Sequence, residues 1–89
     1  MKVKVHQRVR EYHRTLHPDV RRAVKAALLT LPDGDTKPLA EELHGLHRLR
    51  VGEHRFVWRW RKDEIRVFYA APRRLVYEYL AAHLHELFD

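Results

Sequence analysis

Val3 and Val5 alternate with Lys2, Lys4 and His6, which is the period of a short half-buried strand. From Gln7 to Leu16 the apolar residues Val9, Tyr12 and Leu16 recur at helical spacing. Pro18 then opens a second helix, because the N–H it lacks would have no partner in a first turn. Val20, Val24, Ala27, Leu28 and Leu31 give that second helix an apolar stripe, so the two helices form a hairpin that needs a surface to cover. The turn formers Pro32-Asp33-Gly34-Asp35 end it, and Pro38 to Leu43 reads as one or two further helical turns closed by Gly45.

The stretch after Gly45 has the period of a sheet, and its turns set a register. Gly52-Glu53 suits a type II′ hairpin turn and Lys62-Asp63 a weaker two-residue turn. Val51 then pairs with His54, Arg50 with Arg55, Leu49 with Phe56 and Arg48 with Val57. In the second hairpin Arg61 pairs with Glu64, Arg59 with Arg66, Val57 with Phe68 and Arg55 with Ala70. Paired residues share a face, so one face holds Leu49, Val51, Phe56, Trp58, Trp60, Ile65, Val67 and Tyr69, ready for the helical hairpin. The other holds Arg48, Arg50, Arg55, Arg59, Arg61 and Arg66 among Val57, Glu64, Phe68 and Ala70. A slip of one residue would bury the arginines, which fixes this register over its neighbours. The expected fold is α+β: an N-terminal strand and helical hairpin packed on a small, mainly antiparallel sheet, followed by a C-terminal helix.

A chain of 89 residues has surface enough for one core, so residues 1–89 are read as a single domain. Its formal charge of +6 raises the expectation of a nucleic acid or an acidic protein as partner. The charge is concentrated between residues 44 and 77, where Arg48, Arg50, Arg55, Arg59, Arg61, Lys62, Arg66, Arg73 and Arg74 face only Glu53, Asp63 and Glu64. The absence of cysteine excludes disulfides, thiolate metal sites and cysteine nucleophiles, and fits a reducing cytoplasm. No apolar run is long enough to span a membrane, and the start Met1-Lys2-Val3-Lys4 has no signal-peptide core. Without serine there is no serine triad, and no glycine-rich phosphate loop is present. His13/His17 and His44/His47 have usable spacing for a metal but no clear third ligand, so neither a metal nor a cofactor is expected.

Arginines directly opposite one another, as at Arg50/Arg55 and Arg59/Arg66, repel in a sheet. Two explanations remain open: a solvated basic face neutralised by Glu64 and carboxylates from elsewhere, or a site for a bound phosphate, which guanidinium groups grip bidentately.

The run Leu43-His44-Gly45-Leu46-His47-Arg48-Leu49-Arg50-Val51-Gly52-Glu53-His54-Arg55-Phe56-Val57-Trp58, then Ile65-Arg66-Val67 and Arg73-Arg74-Leu75-Val76-Tyr77, resembles the RelE/ParE toxins of bacterial toxin–antitoxin systems. The order of strand, helical hairpin and three-stranded meander fits that family's fold. The resemblance implies cleavage of mRNA in the ribosomal A site, in which the RNA's 2′-hydroxyl attacks the neighbouring phosphate, and it implies an acidic antitoxin as partner. Homodimers or toxin–antitoxin heterotetramers are assemblies open to it. Arg55 matches the arginine of the family's "G-x-Y-R" and is assigned to transition-state phosphate binding, with Arg73 matching that of "H-R-x-x-V-Y" at the same end of the sheet. Tyr77 matches the family tyrosine, which would orient the 2′-hydroxyl or stack on a base; packing on the sheet is the alternative. Arg48 and Arg50 match basic positions that grip the backbone, and Arg59, Arg61, Arg66 and Arg74 are expected as further RNA contacts.

The chain departs from the family pattern at two places that bear on proton transfer. The tyrosine after Gly-x is His54 here, and the histidine before the last arginine is Pro72. Arginine stays protonated and makes a poor base, so His54, His47 and Glu53 are the candidates. A ParE-like toxin that binds DNA gyrase without nuclease chemistry is therefore the alternative, and a non-toxic basic nucleic-acid-binding module a third reading. From Glu78 to Asp89 the chain has acids and no Lys or Arg. With Val76 before it, Leu80, Leu84 and Leu87 of this segment form a helical stripe that would pack on the domain, pair two copies, or lie near the arginine face.

Overall fold

A computed structural model describes residues 2–87; the expected place of Asp89 in the terminal acidic segment lies outside them. In chain order the elements are β1 (Lys2–Val5), α1 (Gln7–Arg14), α2 (Pro18–Leu28), β2 (Thr36–Pro38), a 3₁₀ turn (Glu41–Leu43), β3 (His47–Val51), β4 (His54–Arg61), β5 (Glu64–Pro72), α3 (Arg73–Ala82) and α4 (Leu84–Leu87). Both hairpin helices begin as their sequences direct. The His6 ring accepts from Arg8 N–H and the His17 ring from Asp19 N–H, so these two histidines serve as helix caps. Pro18 takes the first turn of α2.

The strands form one sheet in the order β1-β5-β4-β3-β2. β1 lies parallel to β5 and every other pair is antiparallel. The first hairpin has the expected register throughout, from Val51/His54 to Arg48/Val57. Gly52 opens its turn at φ 58°, a conformation that only a residue without Cβ adopts cheaply. β2 was not foreseen: Thr36–Pro38 pairs with the outer edge of β3, and the Thr36 hydroxyl accepts from the Trp58 indole at 2.9 Å. The helical turns expected over Pro38 to Leu43 shrink to Glu41–Leu43.

The second hairpin corrects the sequence reading. Arg61/Glu64 and Arg59/Arg66 pair as expected, but a bulge follows: Trp58 pairs with Val67 and Val57 with Tyr69, so Arg55 faces Ala71 and not Ala70. Ala70 thereby moves to the main core opposite Phe56, while Tyr69 leaves it and stacks on Tyr79 of α3 with ring centroids 5.3 Å apart. Trp60, expected in the core, lies beyond the reach of the helical hairpin and is 42% exposed.

The sheet is buried on both faces. The helical hairpin covers Leu49, Phe56, Trp58, Ile65 and Val67 through Val9 and Val24. The arginine-bearing face is not simply solvated: Leu46, Val57, Phe68 and Ala71 form a second apolar cluster with Val76 and Leu80 of α3. Of the surfaces open to the C-terminal helix, it takes the arginine face, and it does so through its apolar stripe, with Leu84 packed at the edge. The Leu87 side chain lies outside the described part.

Leu80 is fully buried, while Leu75 on the outer side of α3 is 48% exposed. In urea denaturation Leu80→Ala should therefore lower stability by about 2–5 kcal/mol, and Leu75→Ala should stay within about 0.5 kcal/mol of the parent. Equal effects would mean that α3 is not docked on this face.

Candidate functional site

A cleft of about 400 Å³ opens at the turn end of the arginine face, where β2, β3, β4 and the start of α3 meet. Lys37, Arg48, Arg50, Arg55, Arg73 and Tyr77 line it, and no acid does. The residues grouped from the sequence as Arg48, Arg50, Arg55 and Arg73 with Tyr77 are thus brought together. Lys37 was missed because it sits on the unforeseen β2.

Arg55 is the one buried charged residue among the described residues, at 7% exposure. Its Nη1 donates to the carbonyls of Gly52 at 2.8 Å, in the β3–β4 turn, and of His54 at 3.1 Å, where β4 begins. Burying a guanidinium is unfavourable unless its protons find acceptors, and the turn satisfies one nitrogen only. Nε and Nη2 make no hydrogen bond within the described residues, and that edge presents two parallel N–H groups suited to two oxygens of a phosphate.

Arg48 and Arg50 are held from the other side. Asp35 accepts from Arg50 Nε at 2.7 Å and from Arg48 Nη1 at 3.3 Å, while its backbone carbonyl accepts from Arg50 N–H. The Arg50 hydrogen bond, with Arg48 adding to it, holds the Asp35 carboxyl below the usual carboxylate range. Asp35 is the counterion "from elsewhere", read from sequence only as a turn former. It aims two cations at the cleft without entering it.

Arg73 comes from the first turn of α3, an exposed position. Its N–H donates to the Glu53 carbonyl at 2.8 Å, which ties the start of the helix to the β3–β4 turn. That turn of α3 has no side-chain cap and no acid, so the positive end of the helix dipole is left at the cleft edge. Tyr77, one turn on, is 37% exposed and is not packed away as a core aromatic. Arg74 lines an adjoining crevice with Glu53, Pro72, Arg73 and Tyr77.

Other predicted residues are not in the cleft. His54 lies on the opposite face, its Nδ1 2.6 Å from the Tyr12 hydroxyl and its ring edge-on to that phenol. Burial pushes the Tyr12 phenol up, so the hydroxyl keeps its proton. The alternation of β4 puts adjacent residues on opposite faces, and so sends His54 away from Arg55. His47 also faces away, stacked on Trp58 at 4.3 Å with its pKa lowered by burial.

Arg59, Arg61 and Arg66 line a separate crevice of about 200 Å³ with Lys4 and His6. Between the two sites lie Val57 and Phe68 under α3. Arg66 donates to Glu64 at 3.0 Å, and the Arg59 guanidinium carbon lies 6.0 Å from the centre of the Phe68 ring. Burial, then Arg61 and Arg66, lower the pKa of Arg59. No group of His and acidic residues positioned to hold a metal occurs among the described residues, and no described helix is long and apolar enough to cross a membrane.

No family model matches the chain, and no curated protein matches it. Solved structures do. One is the toxin–antitoxin complex RelBE2 from Mycobacterium tuberculosis, with a TM-score of 0.68 and 23% identity over 81% of this chain and 96% of that one. Another is the archaeal RelE–RelB complex from Pyrococcus horikoshii OT3, with a TM-score of 0.63 and 24% identity over 81% and 93%. A third is the YoeB/ParE toxin from Agrobacterium tumefaciens, with a TM-score of 0.57 and 19% identity over 75% and 92%. At these identities the likeness establishes a shared fold: the chain has the architecture of RelE- and YoeB/ParE-type toxins.

The Asp35 clamp makes a pH prediction. A carboxyl whose pKa is lowered by folding contributes stability above its unfolded value, 3.8, and loses that contribution as pH falls through the folded value. The difference in Tm between the parent and Asp35→Asn should be largest at neutral pH, shrink below about pH 4, and shrink also at high salt. A difference that is constant from pH 7 to about pH 2 would remove the clamp from the account.

Proposed function

We propose that the chain is the toxin of a toxin–antitoxin pair and that it cleaves messenger RNA on the ribosome. The observation that carries this reading is the cleft, where five cations from four elements converge without an acid in its lining on a fold shared with RelE-type toxins. In the proposed reaction the 2′-hydroxyl of one nucleotide attacks the adjacent phosphorus, and charge grows on the non-bridging oxygens as the 5′ oxygen departs. Arg55 meets that charge with its Nε/Nη2 edge, held by the turn carbonyls before substrate arrives, so little reorganisation accompanies the reaction. Arg73 closes on the phosphate from α3. Arg48, Arg50 and Lys37 neutralise the flanking backbone, and Tyr77 stacks on a base or orients the attacking hydroxyl. Guanidinium groups supply the charge stabilisation, so the scheme calls for no metal.

The partner in this reading is an acidic antitoxin segment laid across the arginine face. Two of the solved neighbours are complexes of toxin with antitoxin. A cationic cleft that binds an RNA backbone also binds carboxylates, which makes one surface serve both. The second reading, a gyrase-binding toxin, draws on one observation: no histidine lines the cleft, so the usual neutral-pH proton carrier is missing.

Expression in a bacterium should stop growth and produce codon-phased 5′ ends in ribosome-bound mRNA. Arg73→Ala and Arg55→Ala should each reduce cutting about 10²–10³-fold, with circular dichroism separating lost chemistry from lost fold at the buried Arg55. Well-folded variants that cut like the parent would overturn the site. Growth arrest with DNA damage and intact mRNA would establish the gyrase reading.

A further inference from the structure

The cleft as described can hold a phosphate and stabilise its charge, but its cations and one phenol offer nothing to accept the 2′ proton. Two acids near the arginine side are committed to cations: Asp35 is held by Arg48 and Arg50, and Glu64 by Lys2, Lys4 and Arg66. Glu41, Glu42 and Glu78 line neither the cleft nor the crevice beside it. Glu53 differs in three respects. It lines the crevice that adjoins the cleft and shares the walls Arg73 and Tyr77 with it. It is exposed, and its carboxylate forms no salt bridge among the described residues, although Arg73 and Arg74 line the same crevice. Its main chain is fixed at both sides of the site: the carbonyl accepts from Arg73 N–H at 2.8 Å, while the neighbouring Gly52 and His54 carbonyls hold Arg55.

Resting on the nuclease reading, we propose that Glu53 is the general base of the reaction. A carboxylate is ionised at neutral pH and has free lone pairs when no cation holds it. In the step, the Glu53 carboxylate takes the proton of the 2′-hydroxyl and the 2′ oxygen forms its bond to phosphorus. The phosphorus–O5′ bond breaks with its electron pair going to O5′, and O5′ takes a proton from water. The products are a 2′,3′-cyclic phosphate on one fragment and a 5′-hydroxyl on the other. Arg73 N–H is anchored to the Glu53 carbonyl, so the base and one phosphate-binding cation are joined through the main chain, and the Gly52 turn ties both to Arg55. The residue that follows Gly52 is thereby given a chemical role, while the histidine after it serves the core.

The test is single-turnover cleavage of a defined mRNA on bacterial ribosomes at neutral pH with the full chain. Glu53→Gln should lower the rate about 10²–10⁴-fold, and Glu53→Asp should keep part of it. Substrate affinity should change little, since Glu53 holds no cation in place. Glu53→Gln cutting at the parental rate overturns this inference and leaves the nuclease reading standing. A parent that produces no cleavage overturns both.

Discussion

In the middle of the β4–β5 ladder Val57 pairs with Tyr69 and Trp58 with Val67, leaving Phe68 as the extra residue. A bulge of this kind turns the side chains after it to the opposite face. Ala71 and Phe68 join Val57 on the arginine side, and Val76 and Leu80 of α3 cover them. Removing the bulge would return Ala70 and Tyr69 to the faces that strict alternation gives them and leave α3 without its seat. The bulge also brings Ala71 opposite Arg55, so Pro72 alone separates that level of the sheet from Arg73. Because proline supports no ladder bond but tolerates a helix entrance, the strand ends and α3 begins at the cleft.

The arginine face survives its own repulsion because each opposed pair is relieved locally. Arg50 leans on Asp35 and Arg55 on the carbonyls of its own turn, while Arg66 leans on Glu64. Surface ion pairs of this sort add little stability in water. Their effect here is directional, since they fix where Arg48, Arg50 and Arg55 can point. The same relief divides the face. With Val57 and Phe68 dry beneath α3, the cations separate into a turn-end cleft and a distal crevice at Arg59, Arg61 and Arg66. A continuous phosphate track along the sheet, the simplest inference from charge and period, is not what the chain builds.

What was legible in the sequence was local. The Gly52 turn and strict alternation from Arg48 to Val57 define the first hairpin, and the helical stripes define α1 and α2. The bulge was hidden because Val67-Phe68-Tyr69-Ala70-Ala71 is apolar without a break, and an unbroken run of this kind belongs to a strand buried on both faces, where period carries no phase. That same run was the available sign that a second layer would cover the arginine side. Asp35 was out of reach for a different reason. It stands 13 and 15 residues from the arginines it holds, and an aspartate after Gly34 reads as turn chemistry first. For His54, register already indicated the core side; the family position it occupies argued the other way, and the alternation of the strand prevailed.

A surface built to bind a protein concentrates its energy in buried aromatic and aliphatic anchors at its centre, with charge on the rim. The cleft reverses that order. Its most buried member is Arg55, while Tyr77, the aromatic in its lining, is exposed near the start of α3. The Nε/Nη2 edge of Arg55 is open to solvent, and an anion that replaces water there gains charge-assisted hydrogen bonds on the oxygens that the edge faces. That gain grows with the charge on those oxygens, so it is larger for a phosphorane-like transition state than for the phosphodiester before it. The cleft thereby discriminates between oxyanions by their charge, a property set by the one-sided support of Arg55.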